Sequence, residues 1–226
     1  MIKLLIYDLD GTLIDSRRDI ANAVNWALKE LGLQKLSIEE ISSFVGRGVT
    51  NLMRGVLGAA SRKSDVVAGG GTVEPLLERS IKLYRTRYAE HLLDETQLFP
   101  SVRPVLEHFK NRRQAVITNK PEVFSLEILR GLHVDSYFFR VIGGDEGFQK
   151  KPSPEPVLEI VNSARVQPSE AALIGDSAVD IETGKNAKVM TVAVTYGFGT
   201  REEIKNAQPD VIVEDLRDLI RCPNLV

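Results

Sequence analysis

The sequence holds a single cysteine, Cys222, among 226 residues. A lone thiol cannot close an internal disulfide, so a reducing compartment suits the chain and the cytoplasm is the expected location. Long apolar runs are missing too. The opening MIKLLIYDLD is interrupted at Asp8, too early for a signal peptide. No stretch reaches the roughly 18 apolar residues that a membrane span needs. Neither charge dominates: 29 basic residues face 31 acidic ones, a net charge of −2. That balance offers no general attraction to nucleic acid or to an anionic membrane, and no basic run with interleaved aromatics alters it. Histidine is scarce, and His91, His108 and His133 are read as structural or surface residues. No sequence feature sets an oligomeric state. Apolar residues are plentiful at 43 %, enough for one large domain or a core with a smaller module.

Short, nearly continuous apolar runs recur along the chain: KLLIYD (3–8), QAVITN (114–119), FRVIGG (139–144), AALIGD (171–176), MTVAVT (190–195) and DVIVED (210–215). Runs of this kind, ending at turn residues, are the mark of parallel strands covered on both faces. Helix-like stretches lie between them at 103–112, 121–132, 153–164 and 181–187. Alternation of this kind predicts a doubly wound α/β core of the Rossmann-like type, with an open parallel sheet. The stretch from about 16 to 95 breaks the alternation. Ile20, Ala23, Val24, Ala27, Leu28 and Leu31 recur at helical spacing, as do Leu77, Ile81, Tyr84, Tyr88 and Leu92. Residues 1–15 and 96–226 are therefore expected to form the α/β core, and 16–95 an inserted all-helical module. The glycine-rich SRKSDVVAGGGT (61–72) reads as a mobile loop, and re-entry into the core is expected near Pro100.

Ligands of open parallel sheets bind beyond the carboxyl ends of the strands. Those ends carry Asp8 and Asp10, then Thr118 and Asn119, then Asp176 with Asp180 four residues on; Lys150 and Lys151 stand in KKPSPEP. Each has an ordinary reading. Asp8 and Asp10 suit a solvated turn; Asp176 and Asp180 suit a helix N-cap and its first turn. Thr118 suits a cap for the helix near Pro121, and Lys151 a surface lysine. Taken together they gather acids, a hydroxyl, an amide and a lysine around one crevice. Crowded carboxylates repel unless a cation lies among them, and oxygen ligands without histidine or cysteine favour Mg²⁺. An aspartate beside such a site can attack phosphorus, and a second acid two residues on can serve as general acid and base.

These motifs resemble those of the haloacid dehalogenase superfamily over nearly the whole chain. DLDGTLIDS is similar to the first motif, ITN ending in Thr118 and Asn119 to the second, KPSP with Lys151 to the third, and GDSAVD with Asp176 and Asp180 to the fourth. The resemblance implies Asp8 as nucleophile and Asp10 as general acid/base, with Thr118, Asn119 and Lys151 on the phosphoryl group. It implies Mg²⁺ held by the Asp8 carboxylate, the Asp10 backbone carbonyl and Asp176, with Asp180 in support. The helical insert corresponds to a cap. The second acid, Asp10, is absent from dehalogenases and replaced in phosphonate-cleaving relatives, so a phosphate ester or anhydride is the expected substrate.

Within the superfamily, HLLDETQLFPSVRPVLEHF and VTYGFGTREEI are similar to stretches of phosphoglycolate phosphatases, although Ser101 stands where that group usually has glycine. The expected partner is thus a small phosphorylated metabolite, most like 2-phosphoglycolate. A pyrophosphatase, a sugar-phosphate phosphatase, a phosphosugar mutase and a catalytically silent binding relative are the alternatives. Arg47, in VGRGVTNLMRGVLG, is the candidate for reading a substrate carboxylate or second phosphate, and Arg54 a weaker one. An exposed arginine on the module is the plain alternative for Arg47.

Overall fold

Leu4, Leu5, Ile6 and Tyr7 form the first strand, β1 (Leu4–Tyr7), and all four are fully buried. An unalternating apolar strand needs cover on both faces, which only a central position gives. The structure is a computed structural model describing residues 1–63 and 74–222. In it β1 pairs in parallel with β4 (Arg113–Ile117) on one side and β6 (Ala171–Gly175) on the other. Beyond these lie β5 (Arg140–Ile142), β7 (Met190–Val194) and β8 (Val211–Val213), in the order β5-β4-β1-β6-β7-β8. The fold is a doubly wound, Rossmann-like α/β sheet. Strand order reverses about β1, so the carboxyl ends of β1, β4 and β6 flank the switch point where such sheets bind ligands.

Helices α5 (Val102–His108), α6 (Glu122–Gly131), α7 (Glu155–Ala164), α8 (Ala178–Ala187) and α9 (Arg201–Ala207) join the strands. Alternate strand residues Leu4, Ile6, Ala115, Ile117, Ala171 and Leu173 share one apolar cluster with Val157, Ile160, Val161 and Ala164 of α7. That helix places its buried residues at one-turn spacing, which explains why it lies flat on this face.

Three sequence expectations need correction in detail. The helix expected over 103–112 ends at His108, because Phe109 turns inward, 2 % exposed, and the Arg112 N–H closes on its carbonyl at 2.8 Å. Residues 61–63 of the expected loop continue helix α3 (Val49–Lys63); the rest of that stretch, 64–72, falls outside the described residues. The chain pairs before Pro100: β2 (Ile14–Asp15) and β3 (Gln97–Leu98) form a two-residue antiparallel ladder. Pieces this short carry no legible alternation.

The chain divides into two compact units, Met1–Asp15 with Gln97–Val226, and Ser16–Thr96. The second contains α1 (Arg17–Glu30), α2 (Ile38–Ser42), α3 and α4 (Glu74–Glu90). Ile20, Ala23, Val24, Ala27 and Leu28 line the buried side of α1, and Tyr84 and Tyr88 of α4 stack at 5.3 Å. Helix α2 opens with a capping box in which Ser37 and Glu40 each satisfy the other's backbone N–H. No helix among the described residues is long and apolar enough to cross a membrane.

Asp19, 1 % exposed, ties the two ends of this unit together. Its carboxylate accepts from the Glu95 N–H (3.0 Å), the Thr96 N–H (2.8 Å) and the Thr96 hydroxyl (2.7 Å). Truncation leaves these donors without their acceptor, at about 1–3 kcal/mol for a buried group. Asp19→Ala is expected to lower the unfolding free energy by about 3 kcal/mol, and Asp19→Asn by less. Urea denaturation checks this; a loss below about 1 kcal/mol would mean that water replaces the carboxylate.

In the core unit, Glu146 stands in the loop after β5. Burial, then the neighbouring Glu122 carboxyl, push its pKa up to about 7, against the opposing pull of Arg140. A carboxyl raised above its unfolded value contributes stability that is present at low pH and lost as pH rises through about 7. Glu146→Gln is therefore expected to stabilise the protein more at pH 8 than at pH 5. Denaturation curves at the two pH values measure it, and an unchanged difference would contradict the shift.

Candidate active site

At the end of β1 the Asp8 N–H continues the ladder by donating to the Ile174 carbonyl at 2.8 Å. The chain then turns tightly on the Leu9 carbonyl, which accepts from Leu13 (2.9 Å) and Ile14 (3.1 Å). Gly11 sits in this turn at φ +88°, and a Cβ there would fall 2.2 Å from Asp176 Oδ2. Only glycine meets both demands. From the other side Gly197 presses equally close, its Cβ position lying 2.4 Å from the same oxygen. Asp176 is thereby cradled by backbone. It accepts from the Phe198 N–H at 2.6 Å, the Gly199 N–H at 3.3 Å and the Thr12 hydroxyl at 3.1 Å.

Asp180 is the third residue of α8. Its Oδ2 accepts from the Ser177 N–H (3.1 Å) and hydroxyl (2.6 Å), so it does close the helix start, as its ordinary reading holds. Its Oδ1 does something else, accepting from Lys151 Nζ at 2.6 Å. That ammonium also stands 2.7 Å from Asp8 Oδ1, with its side chain 3 % exposed. Lys151 is thus no surface lysine, whereas Lys150 is exposed. The loop bearing Lys151 is fixed by Asn119, whose Oδ1 accepts from the Lys151 N–H (2.9 Å) while its Nδ2 donates to the Lys151 carbonyl (3.2 Å). Thr118 does not cap α6, which begins after Pro121 without a side-chain cap. Its hydroxyl accepts from the Lys120 N–H at 3.2 Å.

Asp8, Asp176 and Asp180 are all buried, with one carboxylate oxygen from each lying within 4.8 Å of the others. Asp10 offers its side chain elsewhere, to Lys120 Nζ at 2.7 Å. Arg47 belongs to the inserted unit, exposed in the turn before α3. Arg54 in that unit is paired with Glu74 at 3.1 Å. Sequence reasoning missed Lys120, the Thr12 hydroxyl and the Phe198 and Gly199 amides. Lys120 was in view, directly after Asn119; what the sequence did not carry was its burial.

The electrostatics follow from that crowding. Burial drives the Asp8 carboxyl well above the usual carboxylate range, with Lys151 opposing and Asp180 and Asp176 reinforcing. Asp176 is pushed up to about 7 by burial and then by Asp180, against the Phe198 N–H and Lys151. Burial also works against the Lys151 charge, yet Asp180 and Asp8 outweigh it and raise the ammonium above its ordinary value. Fully ionised, the three carboxylates would outnumber the one ammonium by two charges, which is why burial without a cation pushes Asp8 and Asp176 toward protonation. An all-oxygen donor set with that excess fits a hard divalent cation.

A parallel sheet with buried acids and a lysine beyond its strand ends defines a class of α/β proteins that bind ligands at the switch point. Comparison with known proteins makes the class specific. The family model of haloacid dehalogenase-like hydrolases matches residues 5–194, and the chain belongs to this family. It is 36 % identical to a phosphoglycolate phosphatase of Pseudomonas putida, over 96 % of this chain and 78 % of that protein. It is 33 % identical to a phosphoglycolate phosphatase of Aquifex aeolicus, over 97 % and 96 % of the two chains. A crystal structure from Haemophilus somnus, described as a predicted phosphoglycolate phosphatase, superposes with a TM-score of 0.90 at 29 % identity, covering 97 % of each chain. Phosphatases of this family generally use Mg²⁺.

Proposed function

We propose that the protein is a Mg²⁺-dependent phosphatase of small phosphomonoesters, most like 2-phosphoglycolate, working through a phosphoryl group carried on Asp8. The observation that carries this reading is the Asp8 carboxylate, buried at the end of β1, 2.7 Å from Lys151 and grouped with Asp176 and Asp180. The named relatives support the choice of substrate. Residues 1–15 and 96–226 form the catalytic core in this reading, and 16–95 the cap.

Asp8, Asp176, Asp180 and the Asp10 backbone carbonyl would hold the metal, which when bound supplies charge neutralisation to phosphate oxygens and to Asp8. Asp8 attacks phosphorus and Asp10 protonates the departing alkoxide. Asp10 then takes a proton from the water that releases phosphate. Lys151 balances charge on Asp8 and on the phosphoryl group. Thr118 binds a phosphoryl oxygen through its hydroxyl, and Asn119 contributes by holding the Lys151 loop. Arg47 reads the substrate's second anionic group. The small phosphorylated partner and the acid–base balance of the chain agree with a cytoplasmic setting, without nucleic acid or membrane.

The test is phosphate release from phosphoglycolate, pyrophosphate, hexose phosphates and an aryl phosphate, with Mg²⁺ and with a chelator. Phosphoglycolate is expected to give the highest kcat/KM, with turnover abolished by chelation and restored by Mg²⁺. Arg47→Ala should raise KM for phosphoglycolate at least about tenfold and leave the aryl phosphate nearly unchanged, as expected of a lost charge-assisted pair. Pyrophosphate or a hexose phosphate ranking first would overturn the substrate. No release from any ester by folded protein would overturn the reaction.

A further inference from the structure

Lys120 follows Asn119 at the carboxyl end of β4, and its side chain is 5 % exposed. Its Nζ lies 2.7 Å from Asp10 Oδ1 and 2.9 Å from Oδ2, and the Asp10 side chain is itself only 10 % exposed. The backbone of Lys120 is anchored at both ends: its N–H donates to the Thr118 hydroxyl at 3.2 Å and its carbonyl accepts from the Gly144 N–H at 2.9 Å. A lysine stem gives up rotamer freedom when fixed in this way. Two lysines thus divide the acids of the site. Lys151 joins Asp8 to Asp180, while Lys120 holds Asp10, whose carboxylate stands outside the group formed by Asp8, Asp176 and Asp180.

We propose that Lys120 is the positioning residue for proton transfer by Asp10. This rests on the phosphatase reading above. The near-equal contact with both Asp10 oxygens fixes the rotation of the carboxylate about its Cβ–Cγ bond, so that one oxygen can turn its proton toward the leaving group while the other keeps the ammonium. In the first step an Asp8 oxygen bonds to phosphorus and the phosphorus–ester oxygen bond breaks. The bonding pair stays on the ester oxygen, which takes the proton from Asp10. In the second step water bonds to phosphorus, its proton passes to Asp10, and the phosphorus–Asp8 bond breaks.

A leaving group that is already stable as an anion needs no proton, whereas an alkoxide does. Dependence on the leaving group therefore separates aiming of Asp10 from a merely structural role. Lys120→Met is expected to lower kcat/KM for phosphoglycolate about 10²-fold, the lower range of general acid catalysis, and for 4-nitrophenyl phosphate by less than about 5-fold. For the aryl ester kcat should fall while kcat/KM holds, so KM falls with it, because activation of water in the second step is slowed for every substrate. In an Asp10→Asn background, Lys120→Met should add less than about threefold to the loss on phosphoglycolate.

Equal losses of kcat/KM on both esters, or a full further loss in the Asp10→Asn background, would overturn the proposal and assign Lys120 to the phosphoryl group or to packing. If Lys120→Met lowers the thermal midpoint, the same ratio is read with Lys120→Gln, which keeps a hydrogen-bond donor. Wild-type protein that turns over neither ester would instead overturn the phosphatase reading itself, and this proposal with it.

Discussion

Asp8→Asn is expected to lower phosphate release by on the order of 10⁴-fold or more, the scale on which an attacking group fails when removed, and to leave the fold intact. The substitution keeps the size of the side chain and the backbone bond from Asp8 to Ile174. It removes the charge that makes the oxygen a nucleophile. Stability should hold or rise, because burial and the neighbouring Asp180 and Asp176 already oppose ionisation of Asp8. Lys151 keeps a partner in Asp180 at 2.6 Å. Phosphate release under saturating substrate, read beside a thermal midpoint, checks both halves. Retention of a tenth of the wild-type rate would remove Asp8 from the chemistry, and loss of the fold would mean that its charge is structural.

Lys151→Met carries the second large effect, on stability as well as activity. The ammonium bridges Asp8 at 2.7 Å and Asp180 at 2.6 Å with almost no exposure to solvent. Removing one partner of a buried ion pair strands the other, at about 3–5 kcal/mol. Here it strands two carboxylates beside a third, Asp176, that burial already pushes up to about 7. The unfolding free energy of Lys151→Met is therefore expected to fall by about 3–5 kcal/mol at pH 8. Mg²⁺ should restore part of it, since an added cation offsets the same excess charge. Urea denaturation with and without Mg²⁺ measures this. A loss below about 1 kcal/mol would show that the carboxylates take up protons at little cost when the lysine is gone. Activity should fall with the charge, because nothing else on Lys151 can balance the attacking oxygen and the phosphoryl group together.

The fold was legible because its signals were local. LLIY, QAVI and AALIG read as buried strands, since a strand covered on both faces has no polar alternate to hide it, and each became a strand of the sheet. The acids at 8 and 176, with 180 one helical turn on, were legible as neighbours, since topology brings the ends of β1 and β6 together; Lys151, in the loop after β5, was legible through its likeness to the third family motif. Contacts settled by side-chain direction were not. The Lys120–Asp10 pair joins residues 110 positions apart, and nothing in TNK tells a buried lysine from an exposed one. The family resemblance directs the Asn119 amide toward phosphate, yet its two polar atoms meet the Lys151 backbone, because the Lys151 loop arrives on that side of β4. The ladder of Ile14 and Asp15 with Leu98 and Gln97 was too short to leave a period. The Asp19 clasp depends on a loop 76 residues away.

Rapid-quench reaction with a phosphate ester, followed by borohydride reduction and peptide mass analysis, separates attack on phosphorus by Asp8 from attack by water. Borohydride converts an aspartyl phosphate to homoserine. Homoserine is expected at position 8, formed within the first turnover and absent when substrate or Mg²⁺ is withheld. An active enzyme that yields no modified residue under quench, with inversion of configuration at phosphorus, would contradict it: water, and not the Asp8 carboxylate, would then be the attacking group.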